Sequence, residues 1–243
     1  MSAESRPAFY ALASGGWRDY VTLLHPPYTL WHLSYVAIGA ALAPGLEVER
    51  LLAALAAFFL ALGIGAHALD ELNGRPLRTQ IGTGTLVALA VLSVAGAAAI
   101  GVYAAIAWTL WLLPFVAFGA FIVYAYNLEL LGGRFHSDLW FALAWGAFPL
   151  LAGYLVAAER LTVEAVFAAA FAGSLSHAQR SLSTQVRMVR RRVSDVSGTL
   201  RFKDGAEETI GPETLTRTPE QALRAMTLAV VALAVCLVVL RLS

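Results

Sequence analysis

The chain is expected to fold as an all-α, polytopic membrane bundle of about seven transmembrane helices around a central cavity. Three observations predict this. Of 243 residues, 59% are hydrophobic and 14% charged, whereas roughly a quarter of a soluble chain is charged. The mean hydropathy is +0.69. Apolar stretches also recur at the length of about 20 residues that a helix needs to cross a hydrocarbon core of about 30 Å, where an open chain segment satisfies its backbone only as a helix.

The same composition excludes a disordered protein, an ordinary cytosolic enzyme and a nucleic-acid binder that relies on a basic surface, since 17 Lys+Arg face 16 Asp+Glu. Cys236 is the only cysteine, so an intrachain disulfide framework is excluded as well. There is no internal repeat and no low-complexity linker.

Residues 1–27 precede the first long apolar stretch and are expected to form a cytoplasmic N-terminal segment; residues 28–243 then form one transmembrane domain. The start is polar and lacks a short apolar run with a small-residue cleavage site, so it does not read as a secretory signal. The expected spans are 28–43, 51–69, 85–102, 105–126, 139–157, 163–177 and 222–240. The stretch from 85 to 126 is divided because it is twice too long for one crossing, and Pro114 and Gly119 are expected to kink its second half. The polar stretch at about 179–221 lies outside the spans, with a turn at Lys203-Asp204-Gly205.

Basic residues set the orientation. All but Arg50, Arg160 and Arg241 of the 17 fall on one side, which the positive-inside rule makes cytoplasmic. The N-terminus is then inside and, with an odd number of spans, the C-terminus outside. An Ala-rich chain with far more Arg than Lys points to a GC-rich prokaryotic genome and a plasma membrane.

Unusual polar residues collect at the cytoplasmic ends of three helices. The second apolar segment ends Gly63-Ile-Gly-Ala-His67-Ala-Leu-Asp70-Glu71-Leu-Asn73-Gly74-Arg75. Helical spacing places Gly63, His67 and Asp70 on one face, with Glu71 one turn beyond His67. Carboxylates at the edge of hydrocarbon face a cavity or a partner, and Asp70, Glu71 and Asn73 are hard oxygen ligands suited to Mg²⁺ on a phosphate. The plainer alternative pairs Asp70 and Glu71 with Arg75 or Arg78 in a solvated loop.

The fourth segment ends Tyr124-Ala-Tyr126-Asn127, followed by Gly132-Gly133-Arg134. It reads either as an interfacial tyrosine belt or as a cavity mouth with Arg134 clamping an anion. The sixth runs through His177, Gln179, Arg180, Thr184, Arg187 and Arg191. If the helix continues, Arg180, Thr184, Arg187 and Arg191 share a face; the alternative is a basic anchor for anionic lipid. His25 and His32 are read as packing or interface residues. Zinc spacings, a Walker loop, a dinucleotide fingerprint and a Gly-x-Ser-x-Gly elbow are all absent.

The order of these features resembles the UbiA superfamily of intramembrane prenyltransferases over about residues 20–180. His25-Pro-Pro-Tyr28 followed by Gly39-Ala-Ala-Leu-Ala43 is similar to that family's opening. His67-Ala-Leu-Asp70-Glu71-Leu-Asn73 with Arg75-Pro76-Leu77 occupies the place of its first Asp-rich motif, and Tyr124-Ala-Tyr126-Asn127 with the helix after it resembles its Tyr-Ser segment. The resemblance implies helices around a cavity open to lipid, a Mg²⁺-held isoprenyl diphosphate, and capture of the allylic cation by a lipophilic acceptor. It implies Asp70, Glu71 and Tyr126 as catalytic residues and Asp70, Glu71 and Asn73 as metal ligands. Asn73, Arg75, Arg134, His177, Arg180 and Arg187 would meet the diphosphate.

The chain also departs from the family. Its first motif keeps fewer aspartates, the region 177–184 carries no carboxylate, and about seven spans stand where nine are usual. The expected function is therefore a UbiA-like prenyltransferase with a reduced metal site, its partners being isoprenyl diphosphate, acceptor and membrane lipid, with no nucleic acid. The alternative is a non-catalytic membrane protein that binds an isoprenoid or quinone-like lipid. A transporter using His67, Asp70 and His177 as a relay ranks last, because the polar groups gather at one interface rather than at midplane.

Overall fold

Each apolar stretch becomes a helix in the computed structural model, which describes residues 6–243. A short helix, α1 (Trp17–Leu23), precedes α2 (Pro26–Leu42). The latter starts on paired prolines, whose lack of N–H costs nothing in a first turn. Helix α3 (Val48–Leu72) follows and ends at Gly74, whose φ of 92° closes the helix as only glycine does without strain. Next come α4 (Thr83–Ala107), α5 (Leu112–Asn127), α6 (Asp138–Ala158) and α7 (Val163–Arg192). An antiparallel hairpin, β1 (Gly198–Arg201) and β2 (Glu207–Ile210), leads into α8 (Pro212–Leu242).

Helices α3, α4, α6 and α8 are each long and apolar enough to cross a membrane, and α5 is a shorter apolar helix. At 1.5 Å per residue the 25 residues of α4 span about 37 Å. Outward faces are apolar, as contact with lipid requires: Leu92, Ile106 and Phe167 are 71%, 75% and 73% exposed. The fold is thus a mostly helical membrane bundle.

Two details differ from the sequence reading. The break in the long fourth segment falls at 108–111, so residues 105–107 belong to α4. Pro114 then sits in the first turn of α5, where it sets the helix start instead of kinking its middle. The polar stretch expected between spans is divided among the end of α7, the hairpin and the first turns of α8. The turn foreseen at Lys203-Asp204-Gly205 is the hairpin's, with Asp204 Oδ1 accepting from Ala206 N at 3.0 Å.

Helix α2 lies deepest, with Trp31, Tyr35, Val36 and Ala40 wholly buried. It crosses α6 at two glycines. A Cβ on Gly39 would overlap the Leu150 carbonyl, and one on Gly153 would overlap the Val36 carbonyl. Main chain therefore touches main chain, the small-residue contact by which membrane helices pack closely. Arg190 on α7 meets Glu220 on α8 at 2.6 Å, and Arg241 Nε donates to the Ala41 carbonyl at 2.7 Å, tying α8 to its neighbours at both ends.

Two spans contain a widened, π-helical section: Phe59–Ala66 in α3 and Ala142–Ala147 in α6. Such sections leave main-chain carbonyls poorly served and concentrate at functional sites. Both carbonyls that matter here are taken by histidines. Pro149 has no N–H to give the Trp145 carbonyl four residues earlier, and His32 Nδ1 donates to it at 2.8 Å. The main-chain N–H of His67 turns to Ile64, while its own ring Nδ1 donates to the Gly63 carbonyl at 3.1 Å.

Candidate functional site

The polar groups meet at the Arg-rich end of the bundle, between the ends of α2, α3, α5 and α7. Arg187 is the hub: Tyr10, His25, Tyr28, Asp70, Tyr126 and Asp138 all lie within its electrostatic reach. Arg191, one turn further along α7, acts on Tyr10, His25, Tyr28 and Asp70. The 30 unbroken residues of α7 carry both arginines beyond its apolar part to the polar end of the bundle.

Asp70 is half-buried and its carboxylate accepts no hydrogen bond among the described residues; its charged neighbours are Arg191, Arg187, Glu71 and His136. Arg180 is already matched. Its Nε meets Asp138 Oδ1 at 2.6 Å, its NH1 donates to the Tyr126 hydroxyl, and the guanidinium lies over the Phe141 ring at 5.1 Å. With Arg180 matched by Asp138, Arg187 and Arg191 face Asp70 as the remaining charges without a salt-bridge partner among the described residues, while Glu71 is turned into the loop after α3.

Below the charged groups lies an aromatic floor. Tyr126 packs on Trp145 with ring centroids 4.3 Å apart, stacks on His136 at 4.5 Å, and Phe141 stacks on Trp145 at 5.8 Å. Beneath this floor an open apolar groove of about 110 Å³ runs between α3, α4, α5 and α6. Leu62, Val94, Val123, Ala144 and Phe148 line it. Val123 is one turn from Tyr126 and Ala144 adjoins Trp145, so the groove's inner end abuts the aromatic floor. Leu62 and Ala144 belong to the two π-helical sections, whose extra girth shapes that junction.

Several residues expected in the site have other work. Glu71 is wholly buried and faces the loop after α3, accepting from Leu77 N, Thr79 N and Thr79 Oγ1 at 2.8–2.9 Å. Arg75 turns back on the same loop, donating to the Thr79 and Ile81 carbonyls and to Thr83 Oγ1. Neither is a ligand of the pocket, and Glu71 does not pair with Arg75 either. Asn73 Nδ2 donates to the Asn127 carbonyl at 3.2 Å and joins the ends of α3 and α5. Arg134 and His177 are exposed, the latter within electrostatic reach of Asp138 at the edge of the cluster.

The expected Mg²⁺ set of Asp70, Glu71 and Asn73 therefore does not fit a metal. Both Glu71 oxygens are filled by N–H and O–H donors, Asn73 is engaged elsewhere, and Asp70 alone keeps free lone pairs. No group of three or more acidic, His or Cys side chains suited to a metal occurs among the described residues.

His25, expected to be a packing or interface residue, joins the site, and so does Tyr10, which the sequence did not single out. Tyr10 donates to or accepts from His25 Nδ1 at 2.8 Å, and the His25 ring stacks on His67 with centroids 4.1 Å apart and planes 8° from parallel. Burial keeps the Tyr10 phenol protonated, pushing it well above its ordinary range, and holds the His25 imidazole well below its own. Tyr10 arrives on residues 6–11, which are held against α7 and α8. Arg190 NH1 and Arg191 Nε hold the Arg6 and Pro7 carbonyls, and Arg224 lies 4.9 Å above the Phe9 ring. The sequence carried one cue, His25 and Tyr28 flanking the prolines that start α2.

No family model, curated protein or solved structure matches this chain.

Proposed function

We propose that the chain binds an isoprenyl diphosphate within the membrane and acts as a prenyltransferase of UbiA type, passing the isoprenyl group to a lipophilic acceptor. The observation that carries this reading is the gathering of Arg187, Arg191 and Asp70 at the end of the bundle where the apolar groove runs inward. A diphosphate headgroup suits the first and a hydrocarbon tail the second. Arginine is the side chain best shaped to grip phosphate oxygens in a fork.

In this reading Arg187 and Arg191 hold the headgroup and stabilise the charge that develops on it as the C–O bond to the allylic carbon breaks. The forming cation faces Tyr126, Trp145 and Phe141, whose ring faces favour positive charge. The apolar walls keep water from capturing it. The pocket lies on the cytoplasmic side, with the N-terminus inside, and all seven long helices take part in the spanning bundle. The membrane is a prokaryotic plasma membrane.

A second reading, a non-catalytic binder of an isoprenoid or quinone-like lipid, is favoured by the engagement of Glu71 in the loop, which leaves Asp70 without a neighbouring free carboxylate among the described residues. One experiment separates the two. The purified protein in lipid nanodiscs is titrated with farnesyl diphosphate, and released diphosphate is assayed. Binding with release supports transfer chemistry, binding without it supports the binder, and absence of binding refutes both. Replacing Arg187 with Ala is expected to weaken binding by about 2 kcal/mol, roughly thirtyfold, the worth of a charge-assisted hydrogen bond. Arg187→Lys recovers part of it. Because arginines grip the headgroup, treatment with EDTA is expected to change the affinity by no more than about twofold.

A further inference from the structure

We infer that the end of the bundle opposite the arginine pocket holds a phospholipid, its phosphate on Arg160 and one acyl chain in a cavity between the start of α5 and the end of α6. The inference uses none of the residues assigned to isoprenyl diphosphate and stands without that reading.

The cavity is open, has a volume of about 300 Å³, and is lined by Trp111, Phe115, Leu155, Glu159, Arg160 and Leu161. Its depth is hydrocarbon: Phe115 and Leu155 each lie one turn inside their helices. Its rim comes from the two loops at this end, 108–111 before α5 and 159–162 after α6.

The same loops mark a membrane boundary. Leu110, Trp111 and Val163 are 66%, 72% and 68% exposed, apolar groups that lipid covers. Tryptophan concentrates where acyl chains meet headgroups. Glu159 and Arg160, both exposed, stand at that level. A cavity that opens there faces acyl chains on one side and phosphate on the other, and only a phospholipid supplies both in one molecule.

The charge at the rim follows from what is already paired. Arg50 reaches across from α3 to Glu159 Oε1 at 2.7 Å and to the Val156 carbonyl at 3.2 Å, with its guanidinium 5.4 Å from the Trp108 ring. Glu159 is thereby matched, and Glu164 accepts from Thr162. The Arg160 side chain has neither an ion pair nor a hydrogen-bond partner among the described residues. It is the unmatched charge of the cavity.

The main chain fixes it there. Glu159 adopts φ 57° and ψ 8°, a left-handed conformation uncommon outside glycine and asparagine. Its N–H donates to the Leu155 carbonyl at 2.8 Å, and its side chain is held by Arg50. This turn lets the consecutive residues Glu159 to Leu161 line one cavity. Strained residues persist where their surroundings over-determine them, ligand clamps among them. Arginine above an apolar cavity suits a phosphodiester, whose oxygens it grips as a fork.

The test uses the full chain in detergent and lipids whose tails carry bromine, which quenches tryptophan at contact range. Brominated phosphatidylglycerol and brominated diacylglycerol share their tails and differ in the phosphate. Half-maximal quenching of the wild type is expected at about tenfold lower phosphatidylglycerol than diacylglycerol, as one charge-assisted hydrogen bond provides. Arg160→Gln is expected to bring the two curves together, and Arg160→Lys to restore part of the gap. Trp111→Phe ties the signal to this cavity, since it is expected to remove the component that saturates first. Glycerol phosphate, the headgroup without tails, is expected not to displace the lipid. Equal curves in the wild type, a gap that survives Arg160→Gln, or displacement by glycerol phosphate overturns the inference. Should Arg160→Gln fail to fold, Trp111→Phe decides by itself: an early component that remains in it puts the lipid elsewhere and overturns the inference.

Discussion

Asp70 and Glu71 are adjacent carboxylates with different roles, and the difference can be measured. Glu71 shapes the loop after α3, where Arg75 and Arg78 both adopt positive φ. Glu71→Gln turns an NH₂ toward main-chain N–H groups that need an acceptor, a loss of about 1–3 kcal/mol for a buried mismatch. Thermal unfolding in detergent is expected to show that loss, and a smaller one for Asp70→Asn, while farnesyl diphosphate binding responds more to Asp70. His25 supplies a pH dependence. Its folded pKa lies below the value of about 6.5 for a free imidazole, so the unfolded chain binds more protons as pH falls below that value, and stability falls with it. The groups facing it, His67, His32, Arg187 and Arg191, all act in the same direction. Melting temperature followed from about pH 8 to pH 5 is expected to drop below pH 6.5, and His25→Asn to flatten the slope. These roles were hidden in the sequence because spacing puts Asp70 and Glu71 equally near a helix end. Which one turns into the loop depends on where Leu77 and Thr79 present their N–H groups, and that is tertiary information.

At the scale of elements, hydrophobic length was enough to find the helices, and proline placement decided what length left open. The 85–126 stretch was known to need a break, but Trp108 to Trp111 mark it only once Pro114 is seen as a starter of α5. The π-helical sections left no periodic trace, since one extra residue per turn over a single turn is lost in an almost continuous apolar run. Their sites are rationalised by Pro149 and by the ring contacts of His32 and His67. The hairpin was missed for the opposite reason: its strands are four residues each, charged and exposed, with only a turn to announce them. The α2–α6 crossing offers a clean test. Gly153→Ala places a methyl into the Val36 main chain and is expected to destabilise by at least the usual overpacking cost of about 1–3 kcal/mol. Gly84→Ala, with open space around it in the first turn of α4, is expected to be neutral or to stabilise by up to about 1 kcal/mol. Equal losses from both changes, read by thermal unfolding, would remove the crossing from the account.

Taken as a whole, the molecule was most legible in its asymmetry: most of its arginines and its clustered polar groups lie at one end, with only Arg50, Arg160 and Arg241 at the other. Arg180 and Arg187 could be singled out because α7 keeps its period beyond the apolar stretch. His177 could not be separated from them, since how far each lies from the middle of the cluster depends on how α7 leans on α6 and α8. The path of residues 6–11 has a consequence for how ligands arrive. Main-chain carbonyls of Arg6 and Pro7 are pinned by Arg190 and Arg191 over the charged end, whereas the groove between α3, α4, α5 and α6 is open and apolar, a route suited to a guest that arrives through lipid. A guest that enters from the bilayer is counted by its share among lipid molecules and not by its molarity. Diluting a fixed amount of ligand and protein with empty vesicle lipid is therefore expected to lower occupancy, and diluting the suspension with buffer to leave it unchanged.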